Sequence, residues 1–90
     1  MAITSGFSSP KRHSRTIEFL SSDWILESGN YYLDIQHNLE SIDVFGNVWD
    51  AYEIVNVDRM TVRNTNTVRL YVSYNPDCRF DGKIIVTKSQ

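Results

Sequence analysis

The chain has 90 residues, of which 41% are hydrophobic and 22% are charged, and its formal net charge is −2. This composition is typical of one small globular domain and excludes a collagen-like or disordered chain. The sequence lacks the run of about 18 apolar residues that predicts a membrane span, and it lacks the apolar core of a secretory signal peptide. Its one cysteine excludes an internal disulfide, and that cysteine and the two histidines match no zinc-site spacing.

Charge is distributed unevenly along the chain. Residues 1–17 contain three basic side chains and no acidic one, whereas residues 18–90 contain six basic and eleven acidic side chains. We therefore predict an extended basic N-terminal arm over residues 1–16, followed by a single domain over residues 17–90.

The basic residues of the predicted arm are Lys11, Arg12 and Arg15. They are candidates for a contact with an acidic protein surface, such as that of a neighbouring copy, and a solvated leader is the alternative. Nucleic acid is an unlikely partner, because three cations neutralise few phosphates and the acidic domain repels DNA.

After the arm, the sequence predicts short β-strands. In chain order these are residues 17–20, 24–27, 31–36, 43–50, 52–57, 59–63, 67–73 and 83–88. The most regular period-two alternation predicts the core-facing residues Tyr31, Leu33, Ile35, Val68, Leu70 and Val72. Turn signals separate the strands at short intervals. The pattern predicts an all-β fold, a small antiparallel β-sandwich or barrel of six to eight short strands.

Two local features refine this prediction. Gly46 interrupts an alternating strand, which indicates a bulge or a close approach of two backbones. Residues 37–42 lack any alternation and are predicted to form a loop or a helical turn.

The sequence offers little catalytic chemistry. We predict no catalytic, cofactor-binding or metal-binding residue, because no phosphate-binding glycine loop and no calcium-binding loop occurs. A Cys78–His37 dyad is the one enzymatic alternative, and it requires the two side chains to lie within hydrogen-bond reach. The simpler interpretation is that His37 hydrogen-bonds to loop backbone and that Cys78 is a free thiol of a protein folded in a reducing compartment.

Aromatic residues are abundant, at 12% of the chain. Alternation places Tyr32 and Tyr71 on outward faces, and these two residues and Trp49 are candidates for surface contacts. Such residues anchor protein interfaces, stiffen a sheet by cross-strand pairing, or stack on sugars.

Several segments together resemble a known module. They are residues 31–39 with Tyr-Tyr-Leu-Asp-Ile-Gln-His-Asn-Leu, residues 44–50, residues 66–70 with Asn-Thr-Val-Arg-Leu, and residues 80–86 with Phe-Asp-Gly-Lys-Ile-Ile-Val. The combination resembles a small β-sandwich module of tailed-bacteriophage structural proteins. The resemblance covers about residues 17–88, and the chain departs from it at residues 45–47, Phe-Gly-Asn, where plain apolar alternation is more usual.

The resemblance implies a scaffolding role in a virion that is assembled in the host cytoplasm, with His37, Asn38 and Leu39 as a structural corner. Such modules pack by three- or sixfold contacts with copies of themselves and with other virion proteins. Our first hypothesis is a non-enzymatic, self-assembling capsid decoration or cement protein. The alternatives are a tail, baseplate or tail-fibre component, and a β-sandwich that binds a carbohydrate or receptor.

Overall fold

A computed structural model describes residues 13–89, and over this range it confirms the predicted all-β fold. The chain forms the strands β1 (Ser14–Phe19), β2 (Ile25–Glu27), β3 (Asn30–Gln36), β4 (Val44–Asp50), β5 (Glu53–Val55), β6 (Arg59–Asn64), β7 (Thr67–Ser73) and β8 (Gly82–Lys88). A single 3-10 turn over Ser21–Asp23 follows β1. The first strand begins at Ser14 and not at residue 17, so the last residues of the predicted arm belong to the sandwich. Within the described range, no helix has the length and apolar character needed to cross a membrane.

The strands form two antiparallel sheets of four strands each. Sheet I has the order β1-β8-β4-β5, and sheet II has the order β2-β3-β7-β6. The chain changes sheet between β1 and β2, between β3 and β4, between β5 and β6, and between β7 and β8. The result is a β-sandwich in which each sheet keeps one inner and one outer face.

The core lies between the inner faces of the two sheets. The predicted core positions of β3 and β7 are all buried, which confirms the alternation in these strands. Sheet I contributes Val48, Ile84 and Val86 to the same layer. Val68, Leu70, Ile84 and Val86 have no exposed surface, so the centre of the sandwich is dry and apolar.

One end of the sandwich is closed by an aromatic cluster. The ring of Phe19 lies 5.6 Å from that of Trp24 and 5.4 Å from that of Phe80, in edge-to-face arrangements. The indole Nε1 of Trp24 donates a hydrogen bond of 3.1 Å to the backbone carbonyl of Phe80. The cluster joins the end of β1, the connection to β2 and the segment before β8.

Two glycines of sheet I allow close packing. A Cβ at Gly46 would lie 3.0 Å from Cδ1 of Ile84, and the β4–β8 register runs through Gly46 without a shift. The predicted bulge is therefore wrong, and the close neighbour of Gly46 is the Ile84 side chain and not the second backbone that the sequence prediction named. A Cβ at Gly82 would collide with the backbone carbonyl of Trp49 and lie 2.8 Å from the ring of Phe80.

We expect Gly82→Ala to destabilise the protein more than Gly46→Ala. At Gly82 the new methyl group meets a backbone carbonyl that cannot move without distorting β4, and overpacking of this kind costs about 3 kcal/mol. At Gly46 it meets the tip of the Ile84 side chain, and adjustment of that side chain limits the loss to about 1 kcal/mol. Urea unfolding of the two variants and the wild type measures both values, and equal losses would contradict this account.

Candidate interaction surfaces

The outer face of sheet I carries aromatic and aliphatic side chains and few charges. This face, which we call the Trp49 face, consists of Phe45, Asn47, Trp49, Ile54, Lys83, Ile85 and Thr87, with Thr16 and Glu18 along its β1 edge. Phe45 is 54% exposed and Ile54 is 60% exposed. Lys83 and Glu18 are the only charged residues of this face and are opposite each other in the β1–β8 register. The rest of the face presents no charge to solvent.

Two further exposed apolar residues flank β4, one before it and one after it. Ile42, in the segment before β4, is 65% exposed, and Tyr52, in the turn between β4 and β5, is 96% exposed. Exposed apolar side chains that share one face of a protein mark an interaction surface more often than scattered apolar residues do. The alternation that places Trp49 outside also predicts an outward Phe45. Ile54 joins the face only through the pairing of β5 with β4, which no local pattern encodes.

The outer face of sheet II is polar and already internally bonded. Tyr32 and Tyr71 are opposite each other in the β3–β7 register. The guanidinium carbon of Arg69 lies 4.1 Å from the ring centroid of Tyr32, and that of Arg59 lies 4.7 Å from the centroid of Tyr71. Arg69 also donates two hydrogen bonds to Asp34, of 2.6 and 3.0 Å. Because of this pair, the pKa of Asp34 lies below its usual value and the pKa of Arg69 lies above its own.

The three predicted surface aromatics do not share one site. Tyr32 and Tyr71 lie together on the outer face of sheet II, whereas Trp49 lies on the outer face of sheet I, on the opposite side of the sandwich. A groove lined by all three is therefore not formed. A sugar that stacked on either tyrosine would have to share the ring with an arginine side chain or displace it.

Of the three basic residues predicted to make contacts from the arm, one lies in the sandwich and two lie in the segment before it. Arg15 lies on β1 and donates a hydrogen bond of 3.4 Å to the backbone carbonyl of His37. Arg15 is thus a constituent of the sandwich and not of an extended arm. Lys11 and Arg12 lie outside the described residues.

His37 is buried at the corner between β3 and β4. Its backbone N–H donates to the carbonyl of Asn66 at 2.8 Å, and its Nδ1 accepts the backbone N–H of Leu39 at 3.0 Å. This bonding confirms the interpretation that His37 serves loop backbone. Its Nε2 is buried and has no partner among residues 13–89. Burial lowers the pKa of His37, and the charge of Arg15 lowers it further.

We expect the His37 corner to make the free energy of unfolding depend on pH as the pH falls through about 6.5, the pKa of an unfolded histidine. Below about 6.5 an unfolded histidine takes up a proton, whereas the lowered pKa keeps His37 neutral in the fold. The free energy of unfolding is therefore highest above this pH and falls as the pH drops, by at most about 1.4 kcal/mol per pH unit for one group. His37→Asn, which keeps an acceptor but does not titrate, should flatten this dependence.

Urea unfolding at several pH values measures the dependence. The matched control is His13→Asn, which changes an exposed histidine and should leave the wild-type slope intact. If the free energy of unfolding of His37→Asn changes with pH as steeply as that of the wild type, the pH dependence does not come from His37.

The structure separates Cys78 from His37. Residues 30 to 36 of β3 pair with residues 73 to 67 of β7, and His37 follows this ladder at one end. The backbone N–H of Cys78 donates to the carbonyl of Ser73 at the other end of the ladder. Six residues of strand separate the two ends, which is a distance of about 20 Å. The dyad considered from the sequence is therefore wrong.

Among the described residues, no group of three or more histidine, cysteine, aspartate or glutamate side chains is placed to hold a metal ion.

Comparison with protein-family models, with curated proteins and with solved structures finds no match to this chain.

Proposed function

We propose that this chain is a non-enzymatic structural protein of a tailed-phage virion, a small capsid decoration protein that assembles through its Trp49 face. The observation that carries the assembly role is the exposure of Phe45 and Ile54 on a sheet face that is largely uncharged. Apolar surface of this kind gains free energy when a second subunit removes it from water. The assignment to a virion rests on the resemblance of residues 17–88 to phage structural modules.

The size of the Trp49 face bears on how copies associate. Four strands about 4.8 Å apart and about six residues long at about 3.4 Å each give a footprint of roughly 400 Å². A standard protein interface buries about 800 Å² on each partner. The face supplies about half of that area, so a stable assembly needs a second contact between copies. A ring with three- or sixfold symmetry, in which each copy uses more than one surface, meets this requirement.

The alternative functions use the same molecule differently. A tail, baseplate or fibre component would also assemble through the Trp49 face, and it differs only in its place on the particle. A carbohydrate- or receptor-binding protein would use Tyr32, Tyr71 or Trp49. The cationic side chains of Arg69, Arg59 and Lys83 beside these rings count against this alternative.

We expect the wild type to form a stable oligomer and the double variant Phe45→Asp/Ile54→Asp to dissociate. Each substitution places a charge on an exposed position of the Trp49 face, so burial in an interface is penalised while the fold is spared. The dissociation constant should rise at least tenfold, and thermal melting should stay close to that of the wild type. Light scattering over a range of concentrations measures the mass.

The matched control is Ile25→Asp, which charges an exposed isoleucine that is opposite Tyr32 on sheet II. This variant should assemble like the wild type. A wild type that remains monomeric at every concentration, or a double variant that assembles normally, would contradict assembly through the Trp49 face.

The virion assignment leads to a separate prediction. Phage particles purified from a host that carries this coding sequence should contain the chain in a fixed ratio to the major capsid protein. Quantitative mass spectrometry measures the ratio, and immunogold labelling locates the chain. Label over the head supports the decoration role, label over the tail replaces it with the tail alternative, and absence from intact particles overturns the virion assignment.

A further inference from the structure

A groove opens at the end of the sandwich that the aromatic cluster closes. Its volume is about 760 Å³, and it is lined by Glu18, Phe19, Leu20, Asp23, Asp50, Ala51, Asp81, Gly82 and Lys83. These residues come from β1, from the connection to β2, from the end of β4 and from the start of β8. Leu20 is 58% exposed and adds to the apolar part of the lining that Phe19 begins. The groove thus combines an apolar wall with several carboxylates.

The carboxylates of the groove outnumber its cations. Glu18, Asp23, Asp50 and Asp81 face a single lysine, Lys83. None of the four forms an ion pair with any residue in the range 13–89.

Two of these carboxylates are used within the fold. Asp23 accepts the backbone N–H of Leu20, and Asp81 accepts that of Ser21. No such bond occupies the Glu18 and Asp50 side chains in the described part of the chain. The groove therefore offers negative charge beside apolar surface, a combination that suits a basic segment with occasional apolar residues.

Residues 1–12 of this same chain have that chemistry. They contain Lys11 and Arg12, no acidic residue, and the apolar side chains Ile3 and Phe7. This segment enters the sandwich at Ser14, the end of β1 that is remote from the groove.

The geometry of β1 favours the groove of a neighbouring copy over the chain's own. Ser14 is five residues from Phe19 along β1, which is about 17 Å of strand. Lys11 lies three residues before Ser14, and so few residues span at most about 10 Å. The backbone from Ser14 to Lys11 is therefore too short to run back along the whole of β1, so these distances count against the chain's own groove.

We propose that residues 1–12 of one copy occupy this groove of a neighbouring copy, with Lys11 and Arg12 beside Glu18 and Asp50. The inference rests on the proposed self-assembly and supplies the second contact that the Trp49 face alone lacks. Exchange of a terminal segment between copies adds interface area to a small subunit without enlarging its fold.

Cross-linking between single-cysteine variants tests the placement. In a Cys78→Ser background, Ser9→Cys places a thiol in the segment and Ala51→Cys places one in the groove, and neither removes a charge. The two variants are mixed in equal amounts and treated with a short bismaleimide. We expect a cross-linked heterodimer in at least tenfold higher yield than with the control Glu40→Cys, which is exposed, lies outside the groove and shares the positive φ of Ala51.

Charge reversal tests the recognition. Lys11→Glu/Arg12→Glu in the Ser9→Cys chain should lower the yield of the heterodimer about tenfold or more. Glu18→Lys/Asp50→Lys in the Ala51→Cys chain should restore it, because the signs are then exchanged. The yield of the unreversed pair should also fall as salt is raised, since exposed charges are screened.

The possible results separate this inference from the proposed function. If the full-length protein forms oligomers by light scattering and no heterodimer links the segment to the groove, the groove contact is overturned and self-assembly stands. If neither oligomers nor heterodimers form, both are overturned. If a chain that carries both cysteines gives only an intramolecular link, the segment occupies its own groove and the exchange between copies is overturned.

Discussion

The packing of two sheets through one apolar layer is the constraint on which the rest of the structure depends. Each strand has only two faces, and the inner face must fill the space between the sheets. Val68 and Leu70 of sheet II meet Ile84 and Val86 of sheet I without any exposed surface. Once these residues are buried, every alternate residue is forced onto one of two outer faces. The chemistry available to a partner is therefore what the outer positions and the sandwich ends provide.

The two outer faces differ in a way that bears on function. On sheet II, arginine side chains lie over the two tyrosine rings, and Arg69 donates hydrogen bonds to Asp34. The polar and aromatic groups of this face are therefore already bonded to each other. On sheet I, Phe45 and Ile54 remain in water with few charges around them. A partner gains more by covering the second kind of surface, because removing apolar groups from water is favourable and no internal ion pair has to be broken. This difference makes the Trp49 face the stronger candidate for subunit packing.

The two ends of the sandwich have different roles. At one end, the His37 corner is held by backbone hydrogen bonds to Asn66 and by the contact from Arg15. At the other end, the Phe19 cluster supports a groove whose carboxylates lack cationic partners within the described residues. The first end is joined to β1 by the Arg15 hydrogen bond, and the second presents carboxylates beside apolar surface. The apolar face and the acidic groove adjoin at Glu18 and Lys83, so the two candidate contacts of the subunit lie side by side.

The sequence by itself determined the local structure of this protein. The period-two alternation of residues 31–36 and 67–73 predicted which side chains are buried, because alternation in a strand depends only on the chain itself. It also named Trp49 as a surface aromatic, but the bulge or close backbone approach that it predicted at Gly46 is replaced by contact with the Ile84 side chain. The role of Lys11 and Arg12 as contacts of the N-terminal arm remains a prediction from the sequence.

Only the tertiary structure decided which strands are neighbours. The pairing of β1 with β8 begins at Ser14 and so moves Arg15 from the predicted arm into the sandwich, where it contacts His37. The assignment of β4 to sheet I and of β3 and β7 to sheet II placed Trp49 on the opposite side from the two tyrosines. The same pairings put His37 and Cys78 at opposite ends of one ladder and brought residues of three separate segments into the groove. Such contacts join residues far apart in the chain, and no local pattern encodes them because alternation specifies a face but not the strand that lies beside it.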